Sequence, residues 1–179
     1  MRAAYIQSFQ LPPPPPKEHL LFVYGTLKAG FHWNEKFLWR ASLRCRATTR
    51  LPFPLVVGEC GVPYLLGDRP SQGYPIRGEV YEVDAELLEG MDDYEGVSKG
   101  YYERRQIEVL LDPVSPDPSP ETLTAWVYLL PRSDAQLHAL PHIPEYTREI
   151  HDVHYLPIRH IQVKQQRYLG LLDDYHTRS

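Results

Sequence analysis

The sequence predicts one α+β domain built on a mixed, strongly curved, barrel-like sheet of about six strands with few helices. Short apolar or alternating runs typical of strands recur along the chain, whereas only residues 85–95 show a clear helical period. Proline accounts for 18 of the 179 residues, well above the usual share of about 5%, which predicts many connections and little continuous helix. With 42% hydrophobic residues, the chain is long enough for one domain with its own core.

Composition and charge argue against several classes of protein. The formal net charge is -4 and no run of Lys or Arg forms a basic stripe, which argues against nucleic-acid binding. No apolar run approaches the length of a membrane span, and the first residues lack the apolar core of a secretion signal. Cys45 and Cys60 make no disulfide framework and lack zinc-ligand spacing, so we expect plain thiols. These observations predict a soluble cytoplasmic protein without a nucleic-acid or membrane partner.

The chain divides into three parts. We expect a proline-rich leader over residues 1–19, a core domain over residues 20–132, and a C-terminal extension over residues 133–179 that is helical and packed on the core. The leader contains five successive prolines at residues 12–16, which must be extended and cannot enter a sheet interior. A stiff leader before the first strand is favoured over a ligand for a proline-recognising domain.

The first strand leads into a loop suited to ligand binding. Residues 20–24 form a short apolar run, typical of a buried strand, and they end at Gly25. Beyond that point the amides of Gly25, Thr26 and Leu27 leave the sheet ladder, so they can point at an anion or a carbonyl oxygen. The pattern alone favours an ordinary turn, because one glycine after a strand is a weak signal. A phosphate-binding loop is rejected, because the Gly-Lys-Ser/Thr ending is absent.

Six further runs are apolar or alternate between apolar and polar residues, the pattern of buried or half-buried strands. They cover residues 43–51, 54–58, 62–66, 74–83, 101–111 and 123–130. A short helix or irregular turn is expected over residues 32–40. Residues 112–120 are punctuated by proline and predict a connection without regular structure.

Residues 85–95 form the clearest helix of the sequence. Asp84 stands at the position of an N-cap, and Gly96 at that of a C-terminal cap. The apolar stripe of the helix consists of Leu87, Leu88 and Met91. Glu95 follows the last residue of this stripe by four positions and therefore lies on the same, inward face. The other acids, which fall mostly toward solvent, are Glu86, Glu89, Asp92 and Asp93.

Glu95 has two interpretations. Burial and the negative end of the helix dipole both oppose a charged carboxylate, and such a group suits a general base that works near neutral pH. Alternatively, Glu95 is a buried structural acid that pairs with Arg104 or Arg105. The periodicity does not separate these two roles.

The pattern weakens after residue 131. Helical segments are predicted over residues 133–140, 146–155 and 161–172. His151 and His154 would share a helix face beside Asp152, but a further ligand at recognisable spacing is missing. Packing or surface histidines are therefore favoured over a metal site.

Five short blocks carry a resemblance to a known family. They are residues 22–28 (FVYGTLK), 78–84 (GEVYEVD), 91–96 (MDDYEG), 102–104 (YER) and 126–128 (WVY). In this order, over about residues 20–130, they resemble the gamma-glutamylcyclotransferase-like family and are most similar to its gamma-glutamylamine cyclotransferase branch.

The resemblance implies an enzyme that releases 5-oxoproline and a free amine from a small gamma-glutamyl amide, without hydrolysis. It implies Glu95 as general acid and base. The implied substrate-binding residues are Tyr24, Gly25, Thr26, Leu27, Tyr102 and Tyr128, with Arg104 as a weaker candidate for a supporting charge. No metal and no other cofactor is required by this chemistry. The alternative is a non-catalytic binding or scaffold protein on the same fold. The pattern specifies neither the leaving amine nor the oligomeric state.

Overall fold

Five strands close into a barrel in the part of the chain that the computed structural model describes, residues 15–112 and 121–156. They are β1 (His19–Val23), β2 (Ser42–Thr49), β5 (Arg77–Val83), β6 (Glu103–Leu111) and β7 (Thr122–Leu129). The order around the barrel is β1-β5-β2-β6-β7, with antiparallel neighbours. Only the closing pair of this barrel, β1 and β7, is parallel, through Leu21 and Trp126. The predicted α+β class with a mixed, barrel-like sheet and few helices is confirmed.

Two further strands form a separate hairpin. β3 (Leu55–Val57) and β4 (Pro63–Leu65) pair only with each other among the named strands of the described chain, so the expected single sheet of about six strands is a five-stranded barrel plus this hairpin. Each strand has only three residues, and Pro63 lacks the N–H that a longer ladder would need. The hairpin meets the barrel through Leu130, whose N–H donates to the carbonyl of Leu65 at 2.8 Å.

The described helices are α1 (His32–Phe37), α2 (Ala85–Glu95), α3 (Ala135–His138) and α4 (Arg148–His154). α2 occupies the predicted range. The Asp84 carboxylate caps its N-terminus by accepting a hydrogen bond from the amide of Leu87 at 2.8 Å. Gly96 ends it in the left-handed conformation, with φ of 66°. None of the described helices has the length and hydrophobicity that a membrane crossing requires. The predicted helix over residues 161–172, the proline run before residue 15 and residues 113–120 lie outside the described residues.

β1 is buried on both faces, which explains its continuous apolar sequence. Phe22 points into the barrel and belongs to the same hydrophobic cluster as Val80, Val127 and Leu129. The neighbouring residues Leu21 and Val23 point outward and pack in a second cluster with the apolar stripe of α2. α2 is therefore fixed against the outside of the barrel at the end where β1 leads into its loop.

The chain after β7 returns to the mouth of the barrel. Tyr146 is fully buried in the barrel cluster, and its hydroxyl donates to the carbonyl of Gly61 at 2.7 Å. Gly61 has a positive φ of 72°, and a Cβ added there would lie 2.3 Å from the backbone of His154. Only glycine lets the turn after β3 approach α4 this closely.

Candidate active site

A cavity of about 60 Å³ lies at the end of β1, between the loop that follows this strand, the C-terminal turn of α2 and the wall formed by β7. All seven site residues predicted from the sequence line it: Tyr24, Gly25, Thr26, Leu27, Glu95, Tyr102 and Tyr128. Five further lining residues were not predicted: Phe22, Val23, Val62, Pro63 and Tyr94. Residues that are far apart in the sequence therefore meet at one concave surface.

The loop after β1 is held from behind by polar groups. The amide of Lys28 donates to the carbonyl of Gly25 at 3.0 Å, which closes a tight turn. The amide of Ala29 donates to Oε2 of Glu79 at 2.7 Å, and Nδ2 of Asn34 donates to the carbonyl of Leu27 at 2.7 Å. In the described chain, the hydrogen bonds from this loop's amides begin at Lys28. The amides of residues 25–27 therefore remain available to a ligand.

Glu79 and Asn34 are supporting residues that sequence reasoning missed. Glu79 is buried, and besides the loop amide it accepts a hydrogen bond from the hydroxyl of Tyr81 at 3.0 Å. Burial, followed by the charge of Glu79, raises the pKa of the Tyr81 phenol, so this hydroxyl stays protonated and can donate. A glutamate on the buried face of a strand was a signal that could have identified Glu79. We find no comparable signal for Asn34.

Gly25 is required by packing. A Cβ added to this residue would lie 2.5 Å from Cγ of Pro63, which also lines the cavity. The described positive-φ residues do not include Gly25. Glycine is therefore required here by the close approach of the Pro63 ring and not by an unusual backbone conformation.

The returning C-terminal segment braces the same loop. The Lys28 side chain is buried, and its Nζ lies 3.0 Å from Oε1 of Glu145. Nη1 of Arg148 donates to the carbonyl of Gly30 at 2.6 Å. These contacts attach both ends of the segment around Tyr146 to the loop, so the shape of the loop depends on residues more than a hundred positions away in sequence.

Glu95 is buried, with 9% of its surface exposed, and it lines the cavity. The inward orientation predicted from the helical period is confirmed. The charge of Glu95 acts on two phenols of the cavity wall, those of Tyr24 and Tyr128. Burial is the main cause that raises the pKa of each phenol, and the negative charge of Glu95 adds to it. The hydroxyl of Tyr24 donates to the backbone carbonyl of Tyr128 at 2.9 Å, which joins the loop end of β1 to β7.

The two arginines proposed as structural partners of Glu95 bind other acids. Arg104 pairs with Asp92 at 3.1 Å. Arg105 forms two hydrogen bonds with Glu103, at 2.9 and 2.8 Å. These pairs weaken the interpretation of Glu95 as a structural partner of either arginine.

One acid of α2 does not lie where the sequence placed it. Glu86, Glu89 and Asp93 are exposed as expected, but Asp92 is half-buried, and its Oδ1 lies 2.7 Å from the hydroxyl of Tyr128. The expectation that Asp92 faces solvent is wrong. Asp92 lies at the border between the two faces of the helix, where the side chains of β6 and β7 reach it.

His151 is a packing residue. Its ring stacks on Tyr155 at 4.3 Å and meets Phe31 edge-on at 4.8 Å, and its Nδ1 lies 3.0 Å from the hydroxyl of Tyr146. The neighbouring His154 is exposed. Within residues 15–112 and 121–156, no three His, Cys, Asp or Glu side chains are grouped as metal ligands would be. Cys45 and Cys60 are free thiols, both half-buried.

Comparison with known proteins links the chain to one family. A family model described as gamma-glutamyl cyclotransferase, AIG2-like, matches residues 21–153. The chain is 36% identical over 150 residues to gamma-glutamylaminecyclotransferase of Homo sapiens, covering 77% of this chain and 96% of that protein. It is 41% identical over 115 residues to a putative gamma-glutamylcyclotransferase of Drosophila melanogaster, covering 62% and 68%. The crystal structure of an AIG2-like protein from Mus musculus aligns with a TM-score of 0.67 at 32% identity, covering 78% and 95%.

Proposed function

Because the chain belongs to the AIG2-like gamma-glutamyl cyclotransferase family, we propose that it is a gamma-glutamylamine cyclotransferase with Glu95 as its general acid and base. The substrate is a gamma-glutamyl amide, and the products are 5-oxoproline and a free amine. The relatives named above support this substrate class, since one of them is a gamma-glutamylaminecyclotransferase 36% identical to this chain.

The reaction is an intramolecular transfer of the gamma-glutamyl acyl group. The α-amino nitrogen of the substrate attacks the carbonyl carbon of its own γ-amide, and the new C–N bond closes a five-membered lactam. The bond between this carbon and the nitrogen of the leaving amine breaks. Because nucleophile and carbonyl belong to one molecule, most of the entropy of bringing reactants together is already supplied by the substrate. The protein must provide proton transfer and stabilise the oxyanion that forms at the carbonyl oxygen.

Glu95 moves the proton. Its carboxylate takes a proton from the α-ammonium group, which frees the lone pair for attack, and then delivers it to the departing amine nitrogen. The attacking nitrogen carries one more excess proton after the C–N bond forms, and Glu95 transfers this proton to the released amine in the same way, so the products are the neutral lactam and an ammonium ion. The carboxylate is regenerated and no water is consumed. The buried position of Glu95 in the cavity suits this role, because exclusion of water strengthens its interaction with the ammonium group.

The loop after β1 holds the glutamyl part of the substrate. The amides of Gly25, Thr26 and Leu27 are the donors for its carbonyl or carboxylate oxygens, and they are fixed by the contacts of Glu79 and Asn34 behind the loop. The side chains of Tyr102 and Tyr128 line the same cavity. The observation that carries the proposal is that a buried carboxylate and this loop line one cavity.

Turnover of a substrate panel tests the proposal. The purified protein is incubated with gamma-glutamyl amines and, for comparison, with gamma-glutamyl dipeptides, and 5-oxoproline and the released amine are quantified together. We expect equal amounts of the two products from the amines and no free glutamate. If no member of the panel yields 5-oxoproline, the alternative of a binding protein on the same fold is favoured.

Chelation tests the expected independence from metal ions. Every proposed role is filled by a carboxylate or a backbone donor, so turnover should persist after exhaustive treatment with a chelator. Loss of turnover that zinc or manganese restores would contradict this expectation.

A further inference from the structure

Three side chains from three different elements converge beside the cavity. Arg104 on β6 and Tyr128 on β7 are directly opposite each other in the antiparallel register, and both reach Asp92 on α2. Each binds a different carboxylate oxygen: the Tyr128 hydroxyl lies 2.7 Å from Oδ1, and Nη1 of Arg104 lies 3.1 Å from Oδ2. The two partners of Asp92 therefore come from adjacent positions of the barrel wall, one of which, Tyr128, lines the cavity.

The geometry fixes the direction of the Tyr128 hydrogen bond. The hydroxyl has one proton and lies near two acceptors, Oδ1 of Asp92 at 2.7 Å and the carbonyl of Leu88 at 3.1 Å. A carboxylate is the stronger acceptor and is the closer of the two, so it takes the proton. Burial raises the pKa of Tyr128, and its hydrogen bond to Asp92 raises it further, so the phenol stays protonated at neutral pH.

Arg104 holds the carboxylate of Asp92 in place. The guanidinium group of Arg104 lies 4.8 Å from the centre of the Trp126 ring. Three quarters of the Arg104 side chain is buried. Both features restrict the position of the guanidinium charge. Paired with this fixed cation, Asp92 offers Oδ1 to Tyr128 in one orientation. The chain of contacts therefore runs from Trp126 through Arg104 and Asp92 to Tyr128, which lines the cavity.

Asp92 and Glu95 are three residues apart on α2, so they lie within one turn of the helix. Attachment of Asp92 to both β6 and β7 therefore sets the rotation of the last turn of α2 relative to the barrel. The same network orients the Tyr128 phenol across the cavity. Two groups that line the cavity, the Glu95 carboxylate from α2 and the Tyr128 ring from β7, depend on this attachment.

Building on the proposed function, we propose that Asp92 is a positioning residue for the cyclisation, which acts through Tyr128 and is held by Arg104. It does not touch the substrate in this arrangement. Its carboxylate accepts the Tyr128 proton and keeps the phenol and the last turn of α2 in the geometry that the reaction needs. Displacement of about 1 Å in such a site can lower a rate about 100-fold, so a residue that never touches the substrate can have a measurable role.

A double-mutant cycle with gamma-glutamyl amine turnover tests the inference. The variants are Asp92→Ala, Tyr128→Phe and the combination, with kcat and KM measured separately and normalised to folded protein. We expect Asp92→Ala to lower kcat by about 10- to 100-fold, with a smaller change in KM. In the Tyr128→Phe background, the further loss on Asp92→Ala should be less than about twofold, because the partner through which it acts is gone.

Two additional variants separate positioning from general stability. Asp92→Asn keeps an acceptor for the Tyr128 proton, so we expect it to retain more of the parental kcat than Asp92→Ala. It also provides the same comparison if the alanine variant does not fold. Asp93→Ala removes an exposed carboxylate from the next position of the same helix and should leave kcat unchanged. If Asp92 has a purely structural role, Asp92→Ala should lower the melting temperature both in the parent and in the Tyr128→Phe background. The kcat per folded molecule should then be unchanged.

The outcomes distinguish the inference from the proposed function. If the parent forms 5-oxoproline and Asp92→Ala does so with an unchanged kcat, the positioning role is wrong while the proposed function stands. Equal losses from Asp92→Ala in the parent and in the Tyr128→Phe variant would also overturn it, because Asp92 would then act independently of the phenol. A parent without turnover on the panel contradicts the proposed function itself.

Discussion

Glu95 carries a carboxylate at a position that disfavours negative charge. It is the last residue of α2, where the helix dipole is negative, and only 9% of its surface is exposed. An acid at such a position lowers the stability of the fold, and groups that carry such a cost are typical of functional sites. At the scale of single residues, this conflict between charge and surroundings is the strongest argument that Glu95 serves the reaction.

Glu95→Gln is the most direct test of that role. Glutamine keeps the size and hydrogen-bonding ability of the side chain but cannot accept the ammonium proton, so kcat should fall by about 10²- to 10⁴-fold. The free energy of unfolding should be unchanged or increased, because a buried charge at a helix C-terminus is removed. Asp93→Asn, a matched change on the exposed side of the helix, should retain parental turnover. Parental kcat in Glu95→Gln would show that another group is the base.

Gly25 is the second residue at which the site restricts the side chain. Because its Cβ would lie 2.5 Å from Cγ of Pro63, Gly25→Ala must displace the loop or the proline ring, both of which line the cavity. We expect the free energy of unfolding to fall by about 1–3 kcal/mol, the usual cost of overpacking, and KM to rise. Chemical denaturation and steady-state kinetics measure the two effects. A variant with parental stability and KM would contradict the packing argument.

At the scale of the element, α2 connects sequence to function. Its two ends are set by local signals, the Asp84 cap and the left-handed Gly96, and its apolar stripe sets which face meets the barrel. Rotation of this helix by one residue would move Glu95 out of the cavity. The stability of α2 and the geometry of the candidate active site are therefore coupled.

Two glycine substitutions test the interior and the C-terminal end of α2 separately. Gly90 is exposed inside the helix and a Cβ there has nothing within 4 Å, so Gly90→Ala should stabilise the protein by about 0.5–1 kcal/mol. Gly96 has φ of 66° and its Cβ would lie 2.3 Å from Cδ2 of Tyr101, so Gly96→Ala should destabilise it. Denaturation curves give both changes, and parental turnover is expected for Gly90→Ala. If Gly90→Ala and Gly96→Ala changed the free energy of unfolding equally and in the same direction, the argument from backbone conformation would be wrong.

At the scale of the whole molecule, the site depends on a segment outside the barrel. The chain after β7 places Tyr146 in the barrel core and packs His151 between Phe31 and Tyr155. It also supplies Glu145 to the buried Lys28 of the loop after β1. Opening of this segment would free the loop, so conditions that weaken its packing should affect activity and stability together.

The pH dependence of stability reports on this packing. Burial, followed by the nearby charge of Arg148, lowers the pKa of His151 below its ordinary value, while Asp152 opposes the shift. The unfolded chain therefore binds this proton more readily than the folded one. The stabilising contribution is complete above the unfolded pKa of about 6.5 and is lost as the pH falls through the lower folded value.

We therefore expect the free energy of unfolding to fall between pH 7.5 and about 5 more steeply in the parent than in His151→Gln, which cannot titrate. Chemical denaturation at several pH values measures the slope. His154→Gln changes an exposed histidine of the same helix and should leave the slope at its parental value. If His151→Gln shows the parental slope, the buried imidazole does not contribute to acid sensitivity.

Local patterns in the sequence determined the elements and one catalytic candidate. The Asp84 cap, the Gly96 stop and the stripe of α2 are all short-range signals, so the helix and the inward direction of Glu95 could be predicted from spacing alone. Alternation and apolar runs located the strands in the same way, because a strand's two faces differ in burial within a few residues. Ligand binding by the loop at residues 24–27 became the favoured interpretation only through the family resemblance, since one glycine after a strand is common.

Tertiary structure decided the contacts between residues that are distant in the sequence, which local periodicity does not report. Whether β3 and β4 join the barrel depends on pairing partners far away in sequence, and they form a separate hairpin. Helical spacing placed Asp92 on the solvent side, but Tyr128 and Arg104 reach it because β6 and β7 lie under that border of the helix. The supporting role of Glu79 likewise depends on a distant contact, since its carboxylate accepts a hydrogen bond from the amide of Ala29 in the loop after β1. Spacing reports the direction of a side chain from its own element, whereas its partners are set by the packing of elements that are distant in the chain.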